Sequence, residues 1–435
     1  MPHVPEPELL PERSWYYGWV MMPVAGIMIM ATLPGQTVVV SQFNTAIRGS
    51  LGLSEIQLSQ AYFIGTVLAS LPLTLVGRLS DRIGPRRTTA LVVGGFALGM
   101  LAMANARGFV TLTLGFLLIR FLGQGALGML SSHVLALWFE RRLATVESIK
   151  HAAMGVAGFV APAAVIALIA AVGWREAYAW LAVIVAAAVL PLVATVFRDR
   201  PEDLGQHLDN ERPAAHQRWR SAHEQNEPAR LEPAFTLRQA LGTRVFWLLL
   251  LPGLFSGSVG TAMLFHIQPI LTPSLGDDAI VAGTRAVSTW SIVLPAGLLV
   301  GGVLADRLQV RGLASAGALL VGAGASILSG AGSSAVAAVA MAVFAVGMGL
   351  GMAAISPAYA RYFGRPHHGA IRGVVSTAMV AGTAAGPVAL AWAASLAASG
   401  ERGDFGPGLI VCGLLGLPVA AISLLIRPPV VAANA

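Results

Sequence analysis

Arg120 stands in an apolar run, Ile119-Arg120-Phe121-Leu122, where a guanidinium is expensive unless it faces the interior and has a partner. No acidic residue sits mid-span in the chain, so the chemistry Arg120 offers is attraction of a carboxylate from outside the protein. The alternative is a structural arginine held by helix-end carbonyls or by Gln124. His266, in Phe265-His266-Ile267-Gln268-Pro269, lies where a proline loosens the backbone. A histidine there titrates near neutral pH or donates to a carboxylate. Gln36 and Thr37 follow the Pro34-Gly35 break and supply hydrogen bonds. Tyr62 and Thr66, four apart, share one helix face. Ser288 and Trp290 offer a hydroxyl and an aromatic wall in a helix with no charge between Arg285 and Asp306. His133, thirteen residues beyond Arg120, and Tyr359 are expected at a gate or in coupling. Aromatic residues in membrane helices also serve as packing or interfacial anchors.

Positioning such groups requires helices in lipid. Of 435 residues, 56% are hydrophobic and 11% charged, against roughly 25% charged in a soluble domain. A water-facing surface cannot be covered with so little charge. The formal charge of +7 is carried almost entirely by arginine, Lys150 being the one lysine, and reads as membrane topology rather than as a nucleic-acid site. The single cysteine, Cys412, allows neither an internal disulfide nor a cysteine-based metal centre. No metal or cofactor is expected. The first residues carry Glu6 and Glu8 instead of a basic leader, so the first apolar run is expected to be retained.

Apolar runs of roughly twenty residues cross the hydrocarbon as helices. Twelve are marked off, at approximately 16–41, 55–77, 88–106, 109–138, 147–172, 176–197, 244–272, 282–304, 312–330, 333–360, 371–398 and 406–426. The fold expected is an all-α membrane protein of two six-helix halves, 1–197 and 244–435, joined by a polar cytoplasmic linker, 198–243, with an amphipathic helix near 234–243. Arginines concentrate on the side shared by the termini and the linker, which places both termini in the cytoplasm.

The two halves echo each other. Gly77-Arg-Leu-Ser-Asp81-Arg82 closes the second span and Gly302-Val-Leu-Ala-Asp306-Arg307 closes the eighth, as in a duplicated transporter. The loop from Gly77 to Arg87, with Asp81, Arg82, Gly84, Pro85 and Arg86, resembles the signature between helices two and three of the major facilitator superfamily. Tyr17-Gly18-Trp19, Trp138-Phe139-Glu140-Arg141-Arg142, Gly173-Trp174-Arg175, Arg200-Pro201-Glu202-Asp203 and Arg361-Tyr362-Phe363-Gly364 are similar to its oxalate/formate and monocarboxylate transporter group. The resemblance implies the twelve-helix fold and a conformational latch between the halves at Gly77, Asp81, Arg82, Gly84, Arg86, Asp306 and Arg307, weaker in the second copy, where Gln309 replaces a glycine. It also implies a role for Arg120 in substrate or proton coupling. The helix-eight charges of some of these carriers would fall near Leu294 and Leu298, so their proton relay does not carry over.

Together these features lead us to expect a non-enzymatic secondary transporter, monomeric, in a bacterial inner membrane. It moves a small organic solute, a carboxylate anion, by alternating access with proton coupling or anion exchange. Export of amphiphilic compounds and a transport-inactive sensor are the alternatives. The arginine distribution makes a testable statement: green fluorescent protein fused at Ala435 fluoresces in a bacterial host, whereas alkaline phosphatase is active only when inserted at the other face, beside Arg285. The reverse pattern would invert the topology.

Overall fold

A computed structural model describes residues 15–139, 142–210, 235–305, 307–363, 368–397 and 404–429. These residues are helical apart from turns, and they form the twelve-helix membrane fold that the apolar runs imply. The first span is two helices, α1 (Gly18–Ala31) and α2 (Thr37–Leu51), separated by a tight turn, Leu33–Gly35, and by Gln36 in extended conformation (φ −87°, ψ 147°). It therefore runs ten residues past the expected end at 41, because Pro34 and Gly35 interrupt the helix without stopping it. Left-handed Gly52 (φ 64°) ends it.

Span two is α3 (Glu55–Ser70) followed by α4 (Leu73–Ile83), broken ahead of Pro72. Ser54 and Gln57 cap α3 reciprocally. Gly84, at φ 89°, turns the chain into α5 (Pro85–Ala104). Span four is α6 (Phe109–Leu118), a π-helical stretch Ile119–Leu127, and α7 (Gly128–Trp138). Spans five and six form α8 (Leu143–Thr195), folded back at Gly173, whose φ of 83° suits glycine.

The linker residues 211–234 lie outside the described set. Its start docks on the beginning of span one, where Tyr17 N donates to Gln206 Oε1 (3.0 Å) and Gln206 Nε2 donates to the Trp15 carbonyl (2.8 Å). Its end forms the short helix α9 (Leu237–Leu241), within the stretch where an amphipathic helix is expected. The second half comprises α10 (Arg244–Phe265), α11 (Ile267–Leu275), α12 (Ala279–Ala305), α13 (Val310–Ser329), α14 (Ser334–Phe363), α15 (His368–Leu396) and α16 (Gly406–Ser423). His266 is the joint between α10 and α11.

One apolar core fills the first half; two principal clusters fill the second, one around Phe344 and one around Phe246, Tyr359 and Phe363. Two residues cross the division: Phe265 belongs to the first half's core and Val38 to a cluster of the second. Both sit toward the face opposite the termini, called the far face below.

Where the halves meet, small residues let backbones approach. A Cβ on Gly155 would lie 3.0 Å from Pro295 Cγ, and one on Gly158 would lie 3.2 Å from Ser291 Oγ, which brings α8 against α12. Within the second half, a Cβ on Gly386 would lie 2.1 Å from the Ser258 carbonyl oxygen. Gly386→Ala is therefore expected to destabilise by about 1–3 kcal/mol through overpacking, lowering the midpoint of thermal unfolding in detergent. Gly302→Ala, where a Cβ meets nothing within 4 Å, serves as the control with no loss.

Candidate functional site

The break in span one creates the site. At Pro34-Gly35 the helix gives up regular backbone bonding, and the Gly35 carbonyl turns to Arg120, which donates to it from Nη1 at 3.1 Å. A Cβ on Gly35 would lie 2.4 Å from the Ile119 carbonyl, so only glycine allows this approach to the π-helical stretch. Arg120 Nη1 also reaches Thr37 Oγ1 (3.3 Å), and Thr37 Oγ1 pairs with the Tyr62 hydroxyl (2.8 Å). The guanidinium carbon lies 4.9 Å from the Tyr62 ring centroid, a cation–π contact.

Arg120 is 7% exposed and its Nε has no partner. Among the described residues no carboxylate compensates its charge. Thus Arg120, Thr37 and Tyr62 are brought together, while Gln36 is turned aside to donate to Thr32 Oγ1 (3.1 Å). Other buried polar atoms without a hydrogen-bond partner include Thr66 Oγ1, one turn from Tyr62, and Trp290 Nε1 on α12. Ser288 spends its hydroxyl on the Phe159 carbonyl (2.7 Å), bridging the halves.

His266 is not beside Arg120. It is fully buried at the far face, with Nε2 3.0 Å from the Pro387 carbonyl and 3.2 Å from Ser59 Oγ. Its Nδ1 lies 3.3 Å from Glu55 Oε2, an ion-pair distance without hydrogen-bond alignment. Glu55 Oε1 also pairs with Arg48 Nε (3.0 Å). Around this centre Asn44 Nδ2 donates to the Phe265 carbonyl (2.7 Å), Thr45 to Gln268 (2.7 Å), and Thr284 to Gln42 (3.3 Å). The His266 contacts with Glu55 and Ser59 and the last three bonds join the two halves and close the far face. The Tyr62 and Phe265 rings, 4.6 Å apart, connect that closure to the Arg120 site.

Within the signature loop, Arg86 holds the end of span six and Asp199 just beyond it. Arg86 N donates to Asp199 Oδ1 (2.7 Å), Arg86 Nε donates to the Val193 carbonyl (2.8 Å), and Arg86 Nη2 donates to the Ala194 carbonyl. Val193 and Ala194 lie at the end of span six, and Asp199 follows it at the start of the linker. The carboxylate at the amino end of α5 is Asp199, which favours the helix dipole. A Cβ on Gly77 would meet nothing within 4 Å, so close helix contact is not made there. Arg82 and Arg307 are exposed. The side chain of Asp81, and Asp306 altogether, fall outside the described residues. Tyr359 is buried in the second half between Phe246 and Phe363, with ring centroids 6.0 and 6.3 Å away. His133 is half-buried on α7.

One cluster escaped the sequence reading, which treated Lys150 only as a topological charge. Lys150 has no exposed side-chain surface and pairs with Glu147 (2.6 Å) and Ser132 Oγ (2.6 Å). The i,i+3 spacing of Glu147 and Lys150 was its available signal.

The comparisons agree with this architecture. Residues 20–387 match the model of the Major Facilitator Superfamily. The chain belongs to that superfamily. Among solved structures, it resembles a bacterial homologue of the human lysosomal transporter Spinster in an inward-facing and occupied conformation, at 16% identity and TM-score 0.66, covering 96% of this chain and 95% of that one. It also resembles the nucleoside transporter NupG (10% identity, TM-score 0.72, 93% of this chain and 99% of that one). No curated protein matches it in sequence. This superfamily member is an integral membrane transporter of the secondary kind, not an enzyme.

Removing Glu147 leaves a buried ammonium without its counterion, which costs about 3 kcal/mol or more. Glu147→Gln is expected to lower the thermal midpoint markedly, and the double variant Glu147→Gln/Lys150→Met to recover most of the loss. A single-variant midpoint equal to wild type would show that the pair is not structural.

Proposed function

We propose that this transporter carries a small organic anion with a carboxylate group, bound by Arg120 and steadied by Thr37 and Tyr62. The observation that supports the reading is a buried guanidinium with an unpartnered Nε and no carboxylate beside it among the described residues. An uncompensated cation costs about 2.5–3.5 kcal/mol at mid-membrane, and an arriving carboxylate offsets that cost while forming charge-assisted hydrogen bonds. Trp290 and Thr66, with buried unpartnered donors, are the next candidates for substrate contact.

The oxalate/formate and monocarboxylate group is the subgroup whose chemistry fits this site. Transport proceeds by alternating access of the two halves as a monomer in the bacterial inner membrane, with the termini and linker cytoplasmic and the far face external. Drive comes from a proton or an exchanged anion. His133 and Tyr359 are assigned to the cytoplasmic side of the cycle, and the loop of Gly77, Asp81, Arg82, Gly84 and Arg86, with Asp306 and Arg307, to the latch holding the alternative state.

In proteoliposomes, uptake of a labelled small carboxylate is expected to fall about 10- to 100-fold in Arg120→Gln, the equivalent of one lost charge-assisted bond of about 1.5–3 kcal/mol. Equal uptake by wild type and variant, or transport restricted to cationic or neutral amphiphiles, would overturn the anion assignment.

A further inference from the structure

We propose that His266 is a proton-binding site whose occupancy is linked to closure of the far face. It holds a proton while the halves are joined there and releases it to the adjoining solution when they part. This rests on the transporter reading above but not on the choice of an anion as substrate.

Acceptor atoms face the imidazole of His266 on both sides. Nε2 faces the Pro387 carbonyl at 3.0 Å, and a carbonyl only accepts. Its other neighbour, Ser59 Oγ at 3.2 Å, already donates its hydrogen to the Glu55 backbone carbonyl (2.8 Å), so toward the ring it too is an acceptor. Nε2 therefore carries hydrogen. In a neutral ring Nδ1 would then present a lone pair, and it would present it 3.3 Å from the Glu55 carboxylate oxygen. That arrangement is repulsive. With hydrogen on Nδ1 as well, the same distance becomes an attractive ion pair.

The surrounding charges are few. Glu55 comes from α3, and Arg48, at the end of α2, shares the other oxygen of that carboxylate. From α15 the ring meets a carbonyl, and ahead of α16 it meets the Phe405 ring at 5.0 Å. Asp404, next to Phe405, accepts from Gly406 N (2.9 Å). Glu55 is thus the one anion the described residues place against His266, and it belongs to the opposite half.

Parting the halves at the far face removes Glu55 and Ser59 from the ring while its own-half carbonyl remains. A group that gains its counterion only on closure binds its proton more tightly in the closed state, so acid favours closure and alkali favours opening. The proton comes from, and returns to, the solution on that side. The aromatic contact from Phe265 to Tyr62 places this proton site one ring from the Arg120 substrate site.

The test is an electron-spin distance measurement across the far face. Labels are placed at Gly49→Cys and Asp278→Cys, on exposed positions of the two halves, in a Cys412→Ala background in lipid nanodiscs. Between about pH 5 and pH 8, the long-distance population of wild type is expected to grow relative to the short one. Its steepest slope approaches tenfold per pH unit, the signature of one linked proton. His266→Gln is expected to flatten that slope, and Glu55→Gln to require a more acidic medium for closure. Arg120→Gln is expected to keep the slope whatever it does to transport, so failure of the anion reading and failure of this one are separable. A wild-type distance distribution that does not change with pH, or a slope retained in His266→Gln, would overturn the proposal.

Discussion

One guanidinium buried without a carboxylate constrains much of the arrangement around it. Arg120 must find acceptors within a helix bundle, and regular helices have none to spare, since their carbonyls are already bonded. The interruption at Pro34-Gly35 frees the Gly35 carbonyl, the π-helical stretch brings span four against it, and Tyr62 supplies the face of an aromatic ring. The first two are local departures from ideal helix, and all three lie at Arg120. On the proposed reading, this partial satisfaction leaves the guanidinium able to take a ligand. A fully paired arginine would have no reason to bind a ligand, and an unsupported one would not stay in place.

The second organising feature is the seam between the halves. Between α8 and α12 it is made largely by glycine and proline, with the Ser288–Phe159 hydrogen bond its polar link. Toward the far face it becomes polar, with Asn44, Thr45, Gln42, Glu55 and Ser59 of one half meeting Phe265, His266, Gln268 and Thr284 of the other. These groups are paired with one another across the seam, so its far-face part is held by hydrogen bonds and an ion pair instead of by apolar packing alone.

The fold was legible because its signal is long-range and redundant. Twelve apolar runs, an even count, and an echoed Gly-x-x-x-Asp-Arg specify two halves whatever the exact helix ends. Arg120 was legible for a related reason, since a single charge among apolar neighbours stands out. What the sequence concealed was geometry between distant segments. Nothing in Phe265-His266 announces that Glu55 and Pro387 would meet it, so a histidine assigned to the substrate is instead found at the far-face closure. Asp199 was passed over for the same reason: its partner, Arg86, lies 113 residues away. Lys150 was misjudged by its nominal position near a helix start, where arginines and lysines ordinarily reach water, whereas here Glu147 and Ser132 hold it inside.

The central claim is that Arg120 is kept short of a counterion so that a carboxylate can complete its coordination. Thermal unfolding of the purified protein against a panel of small carboxylates, with matched alcohols and amines, tests it most directly. A ligand at 100 times its dissociation constant contributes about 2.7 kcal/mol to the folded state. At least one carboxylate is expected to raise the midpoint of wild type, its matched alcohol and amine to leave it unchanged, and Arg120→Gln to abolish the shift. A carboxylate-induced shift of equal size in Arg120→Gln, or stabilisation by the uncharged or cationic partners alone, would contradict it.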